Sequence, residues 1–223
     1  MADAIQIAID GPASSGKGSV ARGVARRLGY SYIDTGAMFR AVALVAKERG
    51  VAWTDEQGVS NLVRTLRFEF IWVDDALDLR VNGESVSDRI RGEHVGAGAS
   101  AVAVFSAVRR ALLNRQRELA RLGGVVMDGR DIGSVVLPDA QLKVFLDASV
   151  AVRAARRHAE MRARGQEVSL DTVRADLIAR DLQDRNRDQA PLVQASDAVY
   201  VDTSHQTVDE AVEGIVALAH QRS

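Results

Sequence analysis

Short apolar runs alternate along the chain with longer stretches of helical spacing. Ile5–Asp10 is apolar and runs into Gly-Pro, the pattern of a buried strand. Val20–Leu28 follows with helical composition and stops at Gly29. Tyr30–Asp34 reads as a second short strand. Gly36–Arg49 reads as a helix, with Met38, Val42 and Val45 at three- to four-residue spacing and Gly50 at its end. The pattern then changes. Thr54 and Gln57 predict a capping box for a helix running to about Leu66. Phe68–Val86 contains β-like runs broken at Asp74-Asp75 and at Asn82-Gly83, and Asn-Gly between extended runs is a strong hairpin signal.

From Glu93 to Leu122 the spacing is helical again, as two segments. Gly124–Met127 is an apolar strand leading into Asp128-Gly129-Arg130-Asp131, and Leu142–Leu146 is another, ending at Asp147. A basic helix over Val150–Arg164 is closed by Gly165, and a second, Leu170–Arg185, follows a start signal at Ser169–Asp171. Ala198–Val201 is the last strand, and Thr207 with Glu210 caps a final helix. Short apolar strands separated by helices predict an α/β fold, with a parallel sheet covered on both faces. Residues 51–92 read as a small antiparallel lobe inserted into it, and 150–190 as an arginine-rich helical pair. Both are expected to be mobile appendages of a core formed by 1–50, 93–149 and 191–223.

The chain has 223 residues, 47% hydrophobic and 26% charged, ordinary for a globular domain of this size. Its net charge of −1 supplies no global field toward nucleic acid or membrane, so anions must be bound by local clusters of arginine. The lack of cysteine excludes disulfides and thiolate metal sites. The start MADAIQIAID lacks a basic, long-apolar leader, and no apolar run reaches membrane-spanning length. A cytoplasmic protein is expected, and a monomer, since no exposed apolar stripe is evident.

The loop after the first strand carries the candidate chemistry. Gly11, Pro12, Ala13, Ser14, Ser15, Gly16, Lys17, Gly18 and Ser19 nearly spell the phosphate-loop rule. Its backbone N–H groups can wrap a phosphate chain, the following helix points its positive end inward, and Lys17 reaches the terminal phosphates. Gly18 stands where the rule wants a hydroxyl for Mg²⁺. The ion would then be held by phosphate oxygens and water, and Ser19 would still donate to a phosphate.

Further candidates follow strands, where ligands bind in open α/β sheets. Thr35 and Arg40 sit in Asp34-Thr35-Gly36, which also reads simply as a helix start with Thr35 as its cap. Asp128 can organise a hydrated Mg²⁺, Arg130 offers a phosphate fork, and Asp131 can accept from an exocyclic amine. An Asp-Gly turn is the plain alternative for that tetrad. Arg180, Asp184 and Arg187 are spaced to share one helix face, which is equally the pattern of a solvated surface. Arg153, Arg156, Arg157, Arg162 and Arg164 crowd one helix, as a basic face or as a lid over a nucleotide; Arg153 and Arg157 are the first candidates to support charge in transit.

A glycine between lysine and hydroxyl is carried by nucleoside-monophosphate kinases. GPASSGKGS, YIDTGAMFRA, MDGRDIGSVVLPDA and ARDLQDRNRDQAPL, in this order, resemble the bacterial cytidylate kinases over essentially the whole chain, hairpin insert included. The resemblance implies a three-layer P-loop kinase core with an inserted β lobe and a helical lid. It implies ATP as phosphate donor, with Mg²⁺, and CMP or dCMP as acceptor. It makes Arg40 a ligand of the acceptor phosphate with Thr35 beside it, and Asp131 a contact of the base. Arg180 and Asp184 become ribose and nucleotide contacts, and Arg187 a phosphate clamp. Ser100 and Arg109, in GASAVAVFSAVRRAL, reach the cytosine edge by the same resemblance.

A phosphate acceptor needs no strong general base, and His94, His158, His205 and His220 all lie outside the motifs. A non-enzymatic nucleotide switch would use the loop and Lys17 but has no reason to supply Arg40, Arg130 and Arg187. A kinase for another acceptor, such as UMP or a small metabolite, is a closer rival. Nucleic-acid binding is disfavoured by net charge and by the lack of interleaved aromatics.

Overall fold

The computed structural model describes residues 4–73 and 76–222. In chain order these form strand β1 (Gln6–Asp10), helix α1 (Lys17–Leu28), β2 (Ser31–Asp34), α2 (Thr35–Glu48), α3 (Glu56–Val63), β3 (Phe68–Val73), β4 (Ala76–Val81) and β5 (Glu84–Ser85). There follow α4 (Glu93–Val102), α5 (Ser106–Ala120), β6 (Val125–Gly129), β7 (Leu142–Asp147), α6 (Val150–Ala163), α7 (Leu170–Arg185), β8 (Val199–Asp202) and α8 (Val208–His220). They fall into two compact units, one of residues 1–31 with 123–223 and one of residues 32–122.

In the first unit β1 pairs in parallel with β6 on one side and β7 on the other, and β7 pairs in parallel with β8. Ser31, the first residue of β2, donates its N–H to the Gly124 carbonyl beside β6 at 2.8 Å. Ile7, Ala8 and Ile9 of β1, Val126 and Met127 of β6, and Leu142 and Leu146 of β7 are all fully buried. Both sheet faces are therefore covered, which is why these strands carry continuous apolar runs and not alternation. The register sets Asp10 opposite Gly129 and opposite Phe145, so the chain leaves β1, β6 and β7 at one edge of the sheet. α6 packs on α7, and α1 packs on α8. The capping box expected at Thr207 and Glu210 is present at the start of α8.

The second unit has its own core, in which Met38, Ala41 and Val42 of α2 pack with Val59 and Leu62 of α3, Leu79 and Val81 of β4, and Val108 and Leu112 of α5. β3, β4 and β5 form the expected antiparallel sheet. Asn82 and Gly83 take positive φ of 53° and 86°, the two left-handed residues that a tight hairpin turn requires. The expected break at Asp74-Asp75 lies outside the described residues.

Three local expectations are corrected. α1 begins at Lys17 and not at Val20, because the loop glycine Gly16 serves as its N-cap. α3 is capped by Asp55, whose carboxylate accepts from the Gly58 N–H at 2.9 Å, so Thr54 and Gln57 form no capping box; Gln57 instead donates to Asn61. α2 is capped by Asp34, which accepts from the Ala37 N–H, and not by Thr35. In the two caps an ionised carboxylate faces the positive helix start, where a neutral hydroxyl gains less. Among the described residues no single helix is long and apolar enough to cross a membrane.

The α1–α8 contact is closed by a glycine. A Cβ on Gly23 would stand 2.6 Å from Val212 Cγ2, a stiff branched side chain with little room to yield. Gly23→Val is expected to lower unfolding stability by about 1–3 kcal/mol, as overpacked cores do. Urea denaturation read by circular dichroism checks this; an unchanged midpoint would contradict the packing.

Candidate active site

The loop between β1 and α1 is shaped by close approach. A Cβ on Gly11 would lie 2.0 Å from the Leu146 carbonyl oxygen, so only glycine lets the loop run against β7. Ser14 and Gly16 take left-handed φ of 59° and 92°, which coil the chain back into α1. Among the described residues no side chain caps the start of α1, and no acidic residue occupies its first turn, so its first N–H groups remain available to an anion. Ser15 Oγ is buried and has no hydrogen-bond partner among the described residues. These features fit a polyphosphate.

Lys17 is buried, with its Nζ donating to the Pro12 carbonyl at 3.0 Å. Burial, assisted by the charges of Arg130 and Arg180, lowers its ammonium to about 7 against the opposing fields of Asp128 and Asp184. Asp10, at the end of β1, is missing from the motifs yet central here. Its two carboxylate oxygens accept from the N–H groups of Ile132 and Gly133 at 2.8 and 2.7 Å. Burial lifts its carboxyl to about 7, while these two donors hold it down. The phosphate loop and the turn after β6 are therefore tied at their roots.

Asp128 and Gly129 belong to β6, so the Asp-Gly turn does not form; a π-helical turn, Ile132–Val136, follows instead. Arg130 donates from Nε to Asp184 Oδ2 at 2.7 Å, and Arg187 Nη2 stands 3.4 Å from Asp184 Oδ1. Burial pushes the Asp184 carboxyl up, but Arg130, Arg187 and Arg180 more than reverse this and hold it below the usual carboxylate range. These four residues are thus brought together. The shared helix face expected for Arg180, Asp184 and Arg187 is incomplete, since α7 ends at Arg185 and Arg187 returns to Asp184 from beyond it.

The arginines of α6 divide by face. Arg153, expected to meet a transferring phosphate, is buried, and its guanidinium is spent on the Ala148 and Ala13 carbonyls and on Asp181. Arg157 is half-buried and pairs with Glu160, one turn along its own helix, at 3.3 Å. Arg156 also reaches the loop, donating to the Ser15 carbonyl at 3.3 Å and to the Thr203 carbonyl at 2.6 Å. Thr203 also donates to the Ser15 carbonyl, at 3.1 Å. Thr203 follows β8, the strand-end position that marked the other candidates, and was legible on that ground.

In the second unit Arg40 Nη2 pairs with Asp34 Oδ2 at 2.9 Å, and Thr35 is buried. The Arg109 guanidinium lies 5.5 Å from the centre of the Phe39 ring and donates weakly to the Ala103 carbonyl. Ser100 Oγ donates to the Gly96 carbonyl of its own helix at 3.3 Å. Phe39 was not singled out in the sequence, although a ring beside Arg40 is well placed to hold a guanidinium.

The two perturbed groups predict opposite pH slopes in the ligand-free protein. Lys17 titrates near about 7 when folded and near 10.5 when unfolded. Between these values the unfolded chain holds the extra proton, so stability rises with pH. Lys17→Met is expected to remove that rise, at most about 1.4 kcal/mol per pH unit. Asp10 titrates near about 7 folded against 3.8 unfolded, so its contribution falls as pH rises through that window, and Asp10→Asn flattens it. Denaturation midpoints across both windows check the two signs.

The sequence model of the family described as cytidylate kinase matches residues 7–221. The chain is 46% identical over 222 residues to a cytidylate kinase of Geobacillus sp. (strain WCH70), covering 100% of this chain and 99% of that one. It is 48% identical over 210 residues to a cytidylate kinase of Neisseria meningitidis serogroup C, covering 94% of each. Among solved structures, an uncharacterized protein from Eubacterium ventriosum shares the fold at a TM-score of 0.53, with 14% identity over 98% of this chain and 99% of that one. A phosphate loop with its buried lysine, an arginine cluster at the same sheet edge and full-length similarity agree: the chain belongs to the cytidylate kinase family, phosphotransferases acting on nucleotides.

Proposed function

We propose that the chain transfers the γ-phosphoryl group of ATP to CMP and dCMP, giving ADP with CDP or dCDP. The carrying observation is the cluster of Arg130, Arg180, Arg187 and Asp184 at the sheet edge that also bears the phosphate loop. A nucleotide switch has no use for a second phosphate cradle; a kinase whose acceptor is itself a phosphate needs one.

In the transfer, an acceptor phosphate oxygen forms a bond to the γ-phosphorus as the bond to the β–γ bridging oxygen breaks, in line. Gly11 to Ser19 wrap the donor phosphates with backbone N–H groups, and Lys17 follows the charge that moves onto the bridging oxygen. Arg130 and Arg187 hold the acceptor phosphate, and Asp131 accepts from the cytosine amino group. Arg180 and Asp184 take the ribose side. In the second unit Arg40 with Thr35 takes acceptor phosphate, and Arg109 with Ser100 takes the base edge. Gly18 offers no ligand to a Mg²⁺, so Asp128 would orient the water around such an ion, which would supply neutralisation of the charge developing on the phosphates. Residues 150–190 act as the lid and 51–92 as part of the acceptor-binding arm. Arg156, with its hold on Ser15 and Thr203, replaces Arg153 as the arginine of α6 facing the donor.

Coupled ADP-release assays across nucleoside monophosphates test the reading. CMP is expected to be turned over far faster than AMP, and Asp131→Ala to lower kcat/KM for CMP by about tenfold or more, the value of one specific base contact. Equal rates with CMP and AMP would overturn the acceptor assignment. Lys17→Ala is expected to lower kcat by about 10²–10³ while the fold survives, as loss of one charge-stabilising donor does.

A further inference from the structure

We propose that Asp181 and Arg153 are positioning residues for Lys17, acting through the peptide plane between Pro12 and Ala13; this rests on the kinase reading of the loop and deepens it. The Pro12 carbonyl accepts from Lys17 Nζ at 3.0 Å. The Ala13 N–H, at the other end of the same peptide group, donates to Asp181 Oδ1 at 3.3 Å. No peptide bond in the described chain is cis, so this N–H and C=O point to opposite sides of one rigid plane. A carboxylate on one side thus fixes where the lysine's acceptor stands on the other, and polarises it.

The next peptide is held as well. Asp181 Oδ2 meets Arg153 Nη1 at 2.6 Å, and that same nitrogen donates to the Ala13 carbonyl at 3.0 Å. Arg153 Nε is anchored on the Ala148 carbonyl at 2.9 Å, so the guanidinium cannot swing. The Ala13 methyl is buried with Ala154 and Met161 of α6 and Val173 and Leu177 of α7. One loop residue is therefore seated by its N–H, its C=O and its side chain between two helices. Asp181 and Arg153 are both buried, 8% and 3% exposed, and a buried ion pair gains little for stability over an apolar pair of similar volume. Here its hydrogen bonds go to the phosphate loop, which an apolar pair could not hold.

Three measurements decide the matter. In the nucleotide-free wild type, the Ala13 amide is expected to exchange hydrogen much more slowly than the Ser14 amide. Selective acylation of the lysines, with Lys47 as internal reference, is expected to be faster at Lys17 in Asp181→Asn than in the wild type. In kinetics, Asp181→Asn and the double variant Arg153→Met/Asp181→Leu are expected to lose between about tenfold and a hundredfold in kcat/KM for ATP, the scale of a misplaced catalytic group. KM for CMP should change by less than about twofold in both, because the acceptor contacts are not touched. The double variant removes both buried charges, so its thermal midpoint is expected near the wild type's even where the single variant is destabilised.

A stable double variant with unchanged ATP kinetics would overturn the proposal, as would an equal loss for CMP. If neither variant folds, the wild-type exchange decides: an Ala13 amide as fast as Ser14 sinks it. Absence of ATP turnover in the wild type would instead sink the kinase reading, while amide exchange and lysine labelling would still report on the latch.

Discussion

Desolvation of charge is the constraint on which the first unit depends. Lys17, Asp10, Asp128, Arg153 and Asp181 are all buried at or near one sheet edge, where an unanswered charge costs several kcal/mol. Each visible answer is a structural decision. Asp10 is met by two backbone N–H groups, which fixes the turn after β6. Arg153 is met by Asp181 and two carbonyls, which fixes the seat of the phosphate loop. Lys17 is met by the Pro12 carbonyl and by the fields of Asp128 and Asp184, against which burial, Arg130 and Arg180 act. An anion arriving there completes the balance.

This arrangement explains why the parallel topology matters beyond burying apolar residues. Strands that end at one edge deliver their next residues to one place, and helix starts add positive potential there. The turn after β6 then supplies Arg130, and the far end of α7 supplies Asp184 to meet it, 54 residues away in sequence. Specific chemistry is assembled from segments far apart in sequence.

The strands, the helices and the hairpin were legible because each rests on local rules: apolar runs, spacing, and Asn-Gly with its two left-handed residues. Phosphate-loop residues were legible for the same reason, since glycine is demanded by backbone approach at Gly11. Caps were misread where two carboxylates outcompeted neighbouring hydroxyls, at Asp34 and Asp55. The roles of the arginines on α6 were not legible. Arg153, Arg156 and Arg157 are chemically alike, and only helix phase relative to α7 and the loop sends the first to Asp181 and Ala13, the second to Ser15 and the third to Glu160. Asp10 and Asp181 escaped notice because their partners are backbone groups or lie far along the chain, and composition carries no mark of either.

The cluster around Asp184 has a consequence for timing. Asp184 holds Arg130 and Arg187 in place before any ligand is present. On the proposed reading, the ordering of side chains that a phosphate would otherwise demand is completed during folding, and binding does not have to wait for it.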